Sequence, residues 1–518
     1  MELMKENVQA SESVASGTAQ IMVDGDIIVP DVKPDILKIL QVDAVAVVTD
    51  RTVTNGRVNV DGKVNLKILY IPDREDEKIK SILTSFDFSH CIDKQQVGEN
   101  MGVDLEADVE RVEFQLLNSR KLRAKAIVGL GYEVNNIHNI QVVTGVDEPD
   151  CLEIVKKPMR MHNVIDNVER GFVLKESMEV PSGQSSIREI LKMDVKTSDK
   201  DYKVVTGKVV AKGVVNVCVL YIAANGGIEF MELDIPFTEV FDMEDATDGV
   251  ECEMDYVVSD VEYEAVEDND GDCRIVNMDL VLTAKIKAWS EMEVEVISDC
   301  YGPGWETKLD RKEITIDEVV ARPKAQNTLR EMISVGRNLP QMIGIYNVIT
   351  RAFISGTSVE RDRIAVEGKI EAYLLYLSDS EESPVYSYKQ EIPYSYVLDS
   401  PGAKPGMECD IKAEVEHASY NLNMANEAEL RCILSINANV VQKKKVWLID
   451  EIDLLPIGED NKKGIVIYFV QAGDSLWDIA KRYSVAVDDI LKCNNLSEED
   501  IVQGTQLIVP SCMKKKAE

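Results

Sequence analysis

A chain of 518 residues with 45% hydrophobic content is long enough for three or four domains and apolar enough to give each a core. A formal charge of −35 and a pI near 4.6 repel phosphate backbones and anionic lipid from most of the surface, which excludes nucleic acid as an expected partner. The N-terminus, "MELMKENVQASESVASGTAQ", has no basic start leading into an apolar run, and no stretch of about 18 apolar residues occurs, so the chain is expected to stay in the cytosol with no membrane span.

Ten cysteines are scattered between Cys91 and Cys512 without a Cys-x-x-Cys pair and read as reduced thiols. The four histidines, His90, His138, His162 and His417, are never within four residues of one another, so no local zinc pair, no metal site and no cofactor are expected.

From the N-terminus onward the chain repeats itself. "VPDVKPDILKILQV" (Val29 to Val42) matches "VPSGQSSIREILKM" (Val180 to Met193) without a gap, and "VGRNLPQMIGIYNV" (Val335 to Val348) matches the first with Pro340 on Pro34. Gly62 and Tyr70, Gly213 and Tyr221, and Gly368 and Tyr376 then stand at the same spacing, followed by Phe88 and Phe114, Phe237 and Tyr263, and Tyr394 and Tyr420 at another. This is a threefold repeat of about 150 residues. Each unit is expected to open with a short helical turn, "PDILKIL" in the first, and to continue as strands and hairpins. Strict apolar alternation near the end of each unit, Ala124 to Val134, Met278 to Ala288 and Leu430 to Val440, marks half-buried strands. The units therefore read as β-rich and sandwich-like.

The second unit carries the extra segment "AVEDNDGDCRIV". With Gly271 as sixth position of a calcium loop, the first and twelfth would be Val266 and Asn277, where carboxylates are needed, so the pattern fails. Ten acidic and no basic residues between Gly249 and Asp272 read as a solvated strand edge, with an acidic docking surface as the alternative. No phosphate loop or dinucleotide fingerprint occurs, and the histidines are not shared between units. A repeated β unit without a repeated polar cluster reads as a spacer or a docking surface.

The junction "LLPIGEDNKKG" is polar and short, as at a boundary crossed by few contacts. Beyond it, "AGDSLWDIAKRY" contains Gly-Asp-Ser-Leu, the nucleophile block of a class of serine esterases. Such an enzyme needs a downstream histidine, and none follows Leu476. As a small module the same residues are coherent: a strand at "GIVIYFV" and Ser475 capping a helix with Asp478 returning. Leu476, Ile479, Ala480 and Tyr483 lie on that helix's buried face, a second helix around Val487 to Cys493 ends at Asn494 and Asn495, and "QLIVP" returns as a strand.

Along that whole stretch, "YFVQAGDSLWDIAKRYSVAVDDILKCNNLSEEDIVQGTQLIVP", the sequence resembles a LysM domain. The Gly and Leu-Tyr pattern of the three preceding units resembles the DUF3794 or SPOCS repeats of clostridial spore proteins. Three such repeats followed by one LysM resemble the SipL-like family of spore coat morphogenetic proteins. The expected fold class is mainly β, three tandem β-rich sandwich-like repeats and a small α+β (βααβ) LysM module. The expected division is 1–148, 149–310 and 311–455 for the repeats, 456–464 for a linker, 465–511 for the LysM domain and 512–518 for a basic tail.

The resemblance implies a non-catalytic adaptor in the mother-cell cytoplasm, at the outer forespore surface and spore coat. There it would bind a coat-basement morphogenetic ATPase of the SpoIVA type and promote encasement by the coat. A glycan containing N-acetylglucosamine is the second implied ligand, and binding of peptidoglycan or its lipid-linked precursor is the alternative function. Carried onto this chain, the LysM groove comprises Gly473, Asp474, Ser475 and Leu476 on one side and Asn495, Leu496 and Ile501 on the other. Trp477 is assigned to the same site, as a flank of the core or as an exposed anchor for a partner. Seven acidic against three basic residues from Tyr468 to Pro510 call for a protein partner that offers basic groups.

Overall fold

The computed structural model describes residues 2–74, 78–147, 152–336, 339–380, 385–423, 427–456, 465–497 and 502–510. The first unit runs β1 (Leu3–Ile28), β2 (Ile36–Thr54), β3 (Arg57–Pro72), β4 (Lys80–Asp93), β5 (Gly102–Asn118) and β6 (Lys121–Val146). The second repeats it as β7 (Glu153–Glu179), β8 (Ile187–Val205), β9 (Lys208–Ala223), β10 (Ile228–Asp242), β11 (Glu251–Glu267) and β12 (Cys273–Tyr301). The third comprises β13 (Trp305–Ala321), β14 (Lys324–Ser334), β15 (Met342–Glu360), β16 (Arg363–Ser378), β17 (Val385–Asp399), β18 (Glu408–Asn423) and β19 (Glu427–Pro456). The boundary expected at 310/311 thus falls inside β13.

Each unit is a sandwich of two antiparallel sheets, β2-β3-β4 against β1-β6-β5 in the first. The alternating residues of β6, β12 and β19 turn inward and fill the core between the sheets. The repeated glycines have a steric reason. A Cβ at Gly62 would lie 2.3 Å from the Phe88 ring, and Gly213 and Gly368 face Phe237 and Tyr394 in the same way. The aromatic ring of one strand lies across the glycine of its neighbour, which fixes the spacing of the two along the chain. Tyr70 and Tyr376 tie down the turns before β2 and β15 by donating to the carbonyls of Pro34 at 3.1 Å and Pro340 at 3.2 Å.

The helical turn expected at "PDILKIL" is a strand. The ladder of β2 with β3 shifts register between Ile36 and Lys38 and again between Ile39 and Gln41, and both shifts recur in β8 and β15. Each bulge inserts a residue and turns the next side chain to the other face, so two bulges give apolar spacings that imitate a helix. The consequence is structural. Ile39 enters its own sandwich core while adjacent Leu40 points into a cluster shared by all three units.

That shared cluster joins Leu40, Leu191 and Tyr346, which are equivalent positions of the repeats, with Leu69, Leu220 and Leu375, another equivalent set. The units close a ring around it. Lys80 of the first unit meets Glu189 of the second at 2.6 Å, Phe230 of the second packs edge-on against Tyr346 of the third with centroids 5.1 Å apart, and Lys38 of the first lies 5.3 Å from the Tyr386 ring of the third. Beside the apolar cluster, Lys192 is 3% exposed between Asp43 and Asp194, and Lys67 also reaches Asp194. Further along, Lys412 of the third unit bridges Glu106 of the first at 2.9 Å and Asp255 of the second at 2.8 Å.

The last strand of each unit runs past its sandwich. Its final half pairs with the beginning of the first strand to make a two-stranded ribbon. The ribbon departs at a bulge in the first two units. In the third, Pro323, which cannot donate to a ladder, separates β13 from β14. The three ribbons pack together through Val8, Val142, Met161, Val296, Ile316 and Leu448, and beyond them through a second shared layer around Ile297, Cys300 and Ile449. The terminal module sits on the end of this bundle.

Candidate functional site

The module contains β20 (Val466–Phe469), α1 (Leu476–Tyr483), α2 (Val487–Asn494) and β21 (Gln506–Val509), with β20 and β21 antiparallel. Gly473 adopts φ +90° in the turn ahead of α1, a conformation that disfavours other residues. Ser475 caps α1: its Oγ accepts from the Asp478 N–H at 3.1 Å and donates to Asp478 Oδ2 at 2.5 Å. Asn495 ends α2 in the left-handed region at φ 50°. Ile479, Ala480, Val485, Ile490, Leu507 and Val509 are buried between the helices and the ribbon.

The predicted groove residues have distinct duties. Asp474 accepts from the Tyr468 hydroxyl at 2.6 Å and the Gln471 N–H at 2.9 Å, and these bonds hold its carboxyl below the usual range. Ser475 has its hydroxyl in the cap, as an acceptor and as a donor, and among the described residues the module contains no imidazole. Leu476 and Leu496, from the two sides of the groove, lean on the same core, whereas Gly473, Ser475 and Asn495 are exposed. Ile501, the linker expected at 456–464 except for its first residue, and the tail at 512–518 lie outside the described residues, and Pro456 is the last residue of β19.

Trp477 does not stand free beside this groove. Its Nε1 donates to Asp299 Oδ2 at 2.9 Å, and its ring meets Tyr301 edge-on with centroids 4.9 Å apart. The anchor is intramolecular, and its receiver is the ribbon of the second unit. Asp299 also accepts from Lys481 at 2.5 Å and pairs with Arg311 at 2.9 Å. Burial works to raise its pKa, but the bonds from Lys481 and Trp477 and the two positive charges outweigh it and hold the carboxyl below its ordinary value. The Tyr301 hydroxyl donates to the Val485 carbonyl at 2.9 Å, and the Gly304 N–H donates to the Ser484 carbonyl at 2.8 Å. Glu153 of β7 accepts from the backbone of Val487, where α2 has no side-chain cap of its own. Its partial burial and the charge of Asp488 raise its pKa.

The module thus meets the body through a small set of specific contacts centred on Asp299, Tyr301 and Glu153. Sequence reasoning missed Asp299, Tyr301 and Glu153. The signal lay in comparing the repeats, because Tyr301 occupies a ribbon position where the first and third units have Asp147 and Asp453. It also missed the outward face of β20, where Ile467 and Phe469 are exposed beside Ile465 just ahead of the strand, although apolar residues on both faces of a short surface strand are visible in "GIVIYFV".

A family model described as the SipL, SPOCS domain matches residues 35–117, 186–266 and 342–423, and a LysM domain model matches residues 468–510. The SPOCS matches span the second to fifth strands of the first two units and β15 to β18 of the third. They leave out the long outer strands that complete each sandwich and form the ribbons. No curated protein and no solved structure matches the chain.

Proposed function

We propose that this chain, which belongs to the SipL family of sporulation-related proteins through its three SPOCS domains and C-terminal LysM domain, is a non-catalytic adaptor that recruits a protein partner through the LysM module. One observation carries the reading. The module is held by its α1 face and the α1–α2 turn on the ribbon bundle, which leaves Gly473, Ser475 and Asn495 and the outer face of β20 exposed. Both families consist of non-catalytic binding modules, and Ser475 acts here as a helix cap. No helix among the described residues is long and apolar enough to cross a membrane.

The family resemblance implies the partner we propose, a coat-basement ATPase of the SpoIVA type, and the place, the outer forespore surface during coat assembly. The second reading, a glycan containing N-acetylglucosamine, is favoured by the LysM match and by exposed Gly473, Ser475 and Asn495 at the position of the sugar groove. Capture of the purified ATPase by the full chain, run beside sedimentation on purified peptidoglycan, separates the two. The adaptor reading expects ATPase capture that disappears when residues 465–518 are removed. Sedimentation with peptidoglycan and no ATPase capture would establish the glycan reading in its place.

A further inference from the structure

β20 is apolar on both faces. Tyr468 and Val466 lean on the helices, whereas Ile465, Ile467 and Phe469 point away and are 75%, 56% and 59% exposed. Ile508 of β21, the cross-strand partner of Ile467, extends the same face at 39% exposure. Neither strand contains a charged residue.

A two-stranded ribbon has two open edges, and Asn494 closes one of them. Its Nδ2 donates to the Ile508 carbonyl at 2.8 Å and its Oδ1 accepts from the Ile508 N–H at 2.7 Å, so the side chain stands in for a third strand beside β21. Ile508 thus turns its backbone polar groups away from β20. In an antiparallel ladder the opposite residue does the same, so Ile467 turns its N–H and C=O to the outer edge of β20, and period-two alternation sends those of Phe469 the same way. The Val470 N–H, one residue on, points inward and donates to the Thr505 carbonyl at 3.0 Å. The edge of β20 therefore offers outward backbone groups beside three exposed apolar side chains. The edge strand β11 of the second unit is by contrast protected by Asp260, Glu262, Glu264 and Glu267. β20 has no such guard.

We infer that β20 is a docking edge for an extended segment of a partner protein, which joins the module as an added strand. This rests on the module being the partner-binding part, as proposed above. The outward N–H and C=O groups require an extended backbone, and the apolar face requires apolar side chains at alternate positions of the added strand. The acidic balance of the module, seven acidic to three basic residues, favours Lys or Arg flanking that segment.

The test measures binding of the purified coat-basement ATPase by the full chain. Ile467→Pro deletes an outward N–H and no bond to β21, so the module should keep its melting temperature and lose at least tenfold in affinity. Ile467→Lys places a charge on the apolar face, should lose binding likewise, and decides the matter if the proline variant does not fold. Wild-type affinity in the folded variants overturns strand addition, even where removal of residues 465–518 abolishes capture. Capture that survives this removal sinks the broader adaptor reading instead. A dimer of the full chain that Ile467→Pro dissolves, with ATPase binding retained, would assign the edge to a second copy and also overturn the inference.

Discussion

Two of the carboxylate-centred contacts of the second unit, one toward its neighbours and one toward the module, differ in their surroundings. Asp194 and Asp43 flank Lys192, which is 3% exposed beside the apolar cluster that all three units share. Asp299 gathers Lys481, Arg311 and Trp477 at the rim of the ribbon bundle, where the Lys481 side chain is 35% exposed. A buried lysine depends on its two aspartates, so the ring of units is expected to unfold as a single cooperative body. A half-exposed lysine can return to solvent, so the seat positions the module and is the weaker of the two joints.

The largest effect is expected inside the ring. Asp194→Ala leaves Lys192 buried with one counterion and should cost about 3–5 kcal/mol, read as an earlier urea midpoint for all three units together. Separate transitions for the units would break the comparison, because they would show the shared cluster to be dispensable. On the module side, Ile479→Ala empties a small core and should cost roughly 2–5 kcal/mol. Calorimetry should then show an early module transition while the ring transition stays in place.

The seat comes next. Asp299→Ala removes the acceptor of Trp477 and Lys481 and should cost about 1.5–3 kcal/mol of docking. The module should tumble independently by NMR relaxation with its own fold retained, and unchanged tumbling would show that Tyr301 and Glu153 suffice to hold it.

Acid should sharpen the contrast. Asp255 lies between Lys200 and Lys412. Burial opposes its ionisation, but the two lysines prevail and lower its pKa to about 2 from 3.8. Since the folded-state value is the lower one, the stabilisation is complete above the unfolded value and is lost as pH falls from about 4 through about 2. It amounts to about 2 kcal/mol. Urea midpoints of the ring should fall over that window in the native chain and less steeply in Asp255→Asn. The smallest effect is at the cap: Ser475→Ala should lower module stability by about 1 kcal/mol and leave the ring untouched, checked by the same calorimetry.

Much of this protein was legible locally. Apolar alternation in Ala124–Val134 and its two counterparts reports a half-buried strand because side chains alternate faces whatever the strand pairs with. Gly62 facing Phe88 is a neighbouring-strand relation, and Ser475 capping with Asp478 spans one helical turn, so both leave a fixed spacing in the chain. The order strand, helix, helix, strand of the module followed from periods and caps of the same short range. The bulges of β2, β8 and β15 defeated the same logic, since a strand with two inserted residues carries a helical apolar spacing and only its partner strand reveals the register. Beyond that range the sequence was silent. Which faces of the units meet, why the buried lysine is tolerated at 192, and that Trp477 is held by Asp299, 178 residues earlier, were decided by tertiary structure. Local patterns record which side of an element is apolar, but the partner of that side is chosen by closing the ring and bundling three ribbons, and no short-range spacing encodes that choice.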